Sequence, residues 1–84
     1  MSRYLRLDEV VQPAAKLFGE RLKARRQELG LTQAQLFEQT GITSPYISAI
    51  ERGKANPTLD MIVKLAEAVG LEASDMIRRD DQLT

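Results

Sequence analysis

GLTQAQLFEQTGITSPYISAIERG, residues 30–53, reads as two short helices joined by one glycine turn. Thr32 and Gln35 stand in a T-x-x-Q capping box: each side chain can satisfy an orphan backbone N–H of the other, so the first helix begins at Gln33. Leu31, just before the cap, can staple onto Leu36. Gly41 follows Thr40, where a left-handed residue stops a helix and turns the chain. Thr43 then caps a second helix, and Ile42 can staple onto Ile47. So tight a turn leaves the second helix standing proud of the body.

The flanks extend the helical pattern in both directions. Upstream, a helix is expected from Pro13 or Ala14 to Leu29, with Ala14, Phe18, Leu22 and Leu29, joined by Leu17, as its buried stripe. Downstream, GKANP at 53–57 is a turn by composition. Thr58 caps a fourth helix, with Asp60 in its first turn to complement the helix dipole, and Gly70 ends it. Leu71 to Arg79 reads as a fifth short helix with Met76 and Ile77 inward. The organisation is an N-terminal arm at 1–12, one domain at 13–79 and a frayed tail at 80–84. In the arm, Leu5 and Leu7 alternate with Arg6 and Asp8 as in a short strand, while Asp8 could instead cap a turn carrying Val10 and Val11. With Tyr4, that makes five apolar residues, enough to pack on the domain or on a partner subunit.

Helix 4 has only a narrow polar stripe, Asp60, Lys64 and Glu67. Leu59, Ile62, Val63, Ala66 and Val69 form one apolar face for the core, and Met61, Leu65 and Ala68 form a second. An apolar face left uncovered in a small protein usually meets a partner. Met61, Leu65, Ala68, Leu71 and Met76 are therefore the dimer-interface candidates, unless helix 5 or the arm covers them.

The 84 residues make one small domain, which buries only about 60% of its unfolded surface and gains from association. There is no cysteine and no histidine, which excludes a disulfide framework and a thiolate or imidazole metal site. No metal or cofactor is expected. Neither a transmembrane run nor a signal-peptide core is visible, so a cytoplasmic protein without a membrane partner is the default. Net charge is zero, but residues 1–26 carry seven basic residues against three acidic, and residues 57–84 carry three against six. That polarity would orient the domain on a phosphate backbone.

The spacing of helix, three- or four-residue turn and helix is that of the helix-turn-helix. The stretch resembles the lambda-repressor-like (Cro/C1 or XRE-type) family of DNA-binding domains. The resemblance rests on Gly30-Leu31-Thr32-Gln33, Leu36, Gly41, Tyr46-Ile47-Ser48 and Ile50-Glu51-Arg52-Gly53. It continues through Lys54, Asn56-Pro57, Leu59, Lys64-Leu65-Ala66 and Gly70, so it spans roughly residues 17–77. It implies an all-α, compact five-helix domain, with the short arm appended. It also implies a homodimer on double-stranded DNA, since the family commonly dimerises around helix 4.

In this motif the second helix lies in the major groove with its N-terminal residues near base edges. The resemblance places base-reading positions on Ser44, Pro45, Tyr46, Ser48 and Ala49, behind the cap Thr43. Gln33 should reach a phosphate and buttress helix 3, and Arg52, Lys54 and Asn56 are phosphate candidates, with Lys23 and Arg25 as additions. Family members often carry long amides or basic residues where this chain has Ser44, Pro45 and Ala49. None of these three can make a bidentate base contact, so specificity should lean on DNA shape, thymine methyls or Tyr46. The family's helix 1 arginine and helix 3 glutamate correspond to Arg26 and Glu51, expected as a structural ion pair. Phe37 stands where alanine is usual, so either its ring points outward or helices 2 and 3 are spaced differently.

The leading expectation is a sequence-specific, homodimeric transcriptional regulator. An alternative of another class is an antitoxin or adaptor whose main role is to bind another protein, such as a toxin or a second regulator. An enzyme is not expected, because no Ser or Thr has a partner base and the carboxylates are scattered.

Overall fold

A computed structural model describes residues 7–79, with residues 7–13 described by their backbone alone. Five helices follow one another: α1 (Leu7–Glu28), α2 (Gln33–Thr40), α3 (Ser44–Glu51), α4 (Leu59–Ala68) and α5 (Ala73–Ile77). Among the described residues there is no strand. α1 packs on α3 and α5, α2 on α3 and α4, and α4 on α5. The expected all-α, five-helix architecture is the one observed.

The local signals near the motif act as their chemistry requires. Thr32 Oγ1 accepts from the Gln35 N–H at 3.0 Å, and Gln35 Oε1 accepts from the Thr32 N–H at 2.8 Å. Gly41 sits at φ 77°, a backbone that a side chain disfavours, and its N–H closes on the Phe37 carbonyl at 2.7 Å. Thr43 and Thr58 each accept an N–H of the helix they precede, from Tyr46 and Met61 respectively. Such caps contribute about 1 kcal/mol apiece.

Every described helix feeds one core: Phe18 and Leu22 from α1, Leu36 from α2, Ile47 and Ile50 from α3, Leu65 and Ala66 from α4, and Met76 from α5. Ile42 and Val69 join it from the helix ends, and Leu31 packs against it. Each large aliphatic or aromatic side chain fully removed from water contributes about 1.5–3 kcal/mol. Two α1 arginines fasten the far helices. Arg25 Nε donates to the Val69 carbonyl at 2.9 Å and Arg21 Nη1 to the Asp75 carbonyl at 3.0 Å, so cations meet the C-terminal ends of α4 and α5.

The structure departs from the sequence expectations in four places. α1 begins at Leu7 and runs through Pro13, where a break or a start was expected. Pro13 is the seventh residue of α1, past the first turn, so it forfeits one i→i−4 backbone hydrogen bond. What was expected of residues 1–6 and of the tail 80–84 lies outside the described residues. In the α1 stripe, Ala15 rather than Ala14 is buried, and Leu29 is exposed because it lies past the end of the helix. Ile77, expected inward, is exposed at the last position of α5.

The fourth departure reverses part of the α4 reading. Leu65, assigned to a spare face, is fully buried, whereas Leu59 is 80% exposed and Val63 44% exposed. Met76 is also fully buried. Leu65 and Met76 therefore present no surface to a partner. The reason is rotational: α4 is clamped between α2 and α5, which turns Leu65, Ala66 and Val69 inward and leaves the Leu59–Val63 row outside. Met61, Ala68 and Leu71 are half-buried, packed against the core.

Candidate nucleic-acid interface

α3 is seated by two devices, one steric and one electrostatic. At Gly19, in the middle of α1, an added Cβ would lie 2.1 Å from the Ile50 carbonyl oxygen and 3.2 Å from the Glu51 carbonyl carbon. Only a residue without a Cβ lets α1 come this close to the backbone of α3. Nothing in the helical pattern of residues 13–29 singled out Gly19; its one signal was a glycine inside an otherwise good helix, a position that often has a packing reason.

Above that crossing, Arg26 grips Glu51 with two parallel bonds, Nε to Oε2 at 2.7 Å and Nη2 to Oε1 at 2.9 Å. The Glu51 side chain is 3% exposed and that of Arg26 12%. Arg26 Nη1 also donates to the Leu31 carbonyl at 2.9 Å, and Gln33 Nε2 donates to Glu51 Oε1 at 3.1 Å. One carboxylate thus ties α3 to α1 and α2, and through Arg26 to the loop between them. The hydrogen bond to Glu51 raises the Arg26 pKa above its ordinary value; the attraction of the two charges adds to this and burial opposes it. A fork-to-carboxylate pair of this kind is directional as well as strong, so it fixes the rotation of α3.

With Ile47 and Ile50 turned inward, the opposite side of α3 faces out. Ser44, Ser48 and Arg52 fall in one i, i+4, i+8 row, and Pro45 and Ala49 in the next. Pro45 and Arg52 are exposed; Ser44, Ser48 and Ala49 are half-buried; Tyr46 is half-buried and leans on the core. Arg52 Nη1 donates to Ser48 Oγ, which lays the guanidinium back along the outer face of the helix. Thr43 is exposed at the cap, and Lys54 and Asn56 are exposed in the following turn. Gln33 is half-buried with its amide nitrogen committed to Glu51, which is the buttressing expected of it.

Seating and exposed face together are those of a helix-turn-helix. The helix-turn-helix family model matches residues 22–76. The chain belongs to the Cro/C1-type (XRE) helix-turn-helix family. It is 34% identical over 67 residues to y4dJ, an uncharacterized HTH-type transcriptional regulator of Sinorhizobium fredii, a match covering 80% of this chain and 87% of that one. It is 39% identical over 59 residues to the immunity repressor protein of Bacillus phage phi105, across 70% of this chain but only 41% of the repressor. Among solved structures it is similar to the restriction-modification controller protein C.AhdI of Aeromonas hydrophila, with 35% identity and a TM-score of 0.70, over 74% of this chain and 94% of the controller.

Two more side chains of this chain have a definite place. Phe37 is 44% exposed, so its ring points away from the α2–α3 contact, which Leu36 and Ile47 fill instead. Lys16, which no motif singled out, lies beside the turn that follows α3. Of the added helix 1 cations, Arg25 is engaged with Val69 and Glu28, while Lys23 is exposed.

Proposed function

We propose that this XRE-family chain is a sequence-specific transcriptional regulator that binds double-stranded DNA as a homodimer, each protomer inserting α3 into a major groove. The observation that carries the reading is the seating of α3 by Gly19, Arg26 and Glu51, with a small, polar and basic face turned outward. A helix in the major groove must hold one rotation, because a turn about its axis exchanges the residues that meet base edges. Thr43, Ser44, Pro45, Tyr46, Ser48 and Ala49 are the base-proximal set. Arg52, Lys54, Asn56 and the α2 N-terminus at Gln33 serve the flanking phosphates.

Ser44, Pro45 and Ala49 have too little hydrogen-bonding capacity for bidentate readout, so shape and thymine-methyl contacts carry much of the discrimination. The Leu59–Val63 row, with half-buried Met61, Ala68 and Leu71 near it in sequence, is the apolar surface available for pairing two protomers. Half-sites then lie roughly 34 Å apart, one helical turn of DNA. The relatives are regulators, which does not favour the antitoxin or adaptor alternative. No described helix is long and apolar enough to cross a membrane, in keeping with a cytoplasmic regulator.

Selection of bound duplexes from a random pool, followed by competition against random-sequence DNA, tests the proposal. A recovered motif with twofold symmetry and a clear preference over competitor is expected. Equal affinity for every duplex overturns it.

A further inference from the structure

A shallow pocket of about 230 Å³ lies at the C-terminal end of α3, lined by Lys16, Arg52, Gly53 and Lys54. Three of its four lining residues are cations, and none is acidic. Lys16 reaches it from α1, thirty-six positions earlier in the chain than Arg52. A Cβ placed on Gly53 would stand 3.3 Å from the Lys16 Cα, 3.5 Å from its Cβ and 3.6 Å from its Cγ, so the lysine stem runs along the turn.

Glu51, next to Arg52 in sequence, is already engaged by Arg26 and Gln33, and Glu20, one turn of α1 after Lys16, does not line the pocket. Neither Lys16 nor Lys54 is held in an ion pair by a described residue. Bringing three cations to one concavity is unfavourable unless an anion is to lie there. α3 itself is eight residues long, so at 1.5 Å per residue the pocket stands about 12 Å from Ser44, close to the width of a major groove. A helix whose N-terminal end meets base edges thus presents this pocket to the groove's phosphate rim.

We propose that Lys16, together with Arg52 and Lys54, forms a clasp for a backbone phosphodiester of duplex DNA at the end of α3, with Lys16 as a contact residue supplied by α1. The proposal rests on the DNA-binding reading above and adds a residue and a ligand group to it. Lys16 is exposed, so its replacement leaves the core intact.

The test is the salt dependence of binding, followed by fluorescence anisotropy on a selected duplex and on a random-sequence duplex. Lys16→Ala, Lys16→Arg and Lys64→Ala are compared with the native chain. Lys64, exposed on α4, removes the same charge away from the clasp and is the control. Lys16→Ala is expected to flatten the log–log salt slope by about 0.9 per protomer on both duplexes. Its thermal midpoint and its preference between the duplexes stay as in the native chain. Lys16→Arg and Lys64→Ala keep the native slope. A native slope in Lys16→Ala, or an equal loss in Lys64→Ala, overturns the clasp. A native chain that prefers its selected duplex but is indifferent to Lys16 defeats the clasp and spares the regulator. One that depends on Lys16 without preferring any duplex does the reverse, and one that binds no DNA defeats both.

Discussion

The C-terminal end of α3 is dense with fixed interactions: Glu51 held by Arg26 and Gln33, and Ile50 pressed against Gly19. The N-terminal end carries Ser44, Pro45 and Tyr46, of which only the serine and the tyrosine hydroxyl offer a side-chain hydrogen bond. On the proposed reading, placement of the helix and reading of bases are therefore separated along eight residues. The strong interactions orient the rod, and the residues proposed to meet base edges have little hydrogen-bonding capacity. A recognition helix built this way can change its reading residues without disturbing its seat.

The largest expected effect is at Glu51. Glu51→Ala leaves the Arg26 guanidinium buried without its partner and should cost about 3–5 kcal/mol of stability in urea denaturation. DNA binding should be lost with it, and a native denaturation midpoint would refute the structural role. Next is Gly19→Ala. Alanine is the better helix former by about 1 kcal/mol, but the added methyl meets the Ile50 carbonyl. A net loss of about 1–3 kcal/mol is expected, since α1 and α3 must move apart. A gain in stability would show that α1 does not approach α3 this closely.

Effects at the other end should be smaller. Thr43→Ala removes the cap of α3 and should cost about 1 kcal/mol in the same denaturation series. Ser44→Ala removes only a hydroxyl that discriminates poorly between bases. It should shift affinity for the selected duplex by about 1 kcal/mol or less, the worth of one neutral hydrogen bond. A tenfold loss there would mean that the N-terminal end reads bases strongly after all.

Much of the fold was legible in the residues themselves because the signals are local. Thr32 with Gln35, Gly41, Thr43 and Thr58 act on backbone groups within three or four positions, so their chemistry is complete in the sequence. The Arg26–Glu51 pair follows from the family pattern, and the structure adds the bonds to Leu31 and Gln33 that make the pair a junction. The α4 face could not be assigned in the same way. Its residues are apolar almost all round, so hydrophobic periodicity could not decide between its two faces, and the expectation that put Leu59 in the core and Leu65 outside is reversed.

The positions of α2, α3 and α4, their caps and the helix-turn-helix family thus follow from the order of amino acids, because each depends on neighbours a few residues apart. Three things required packing: which side of α4 is inside, why Gly19 carries no side chain, and that Lys16 stands beside Arg52 and Lys54. Each is a contact between segments distant in sequence, set by how the helices cross.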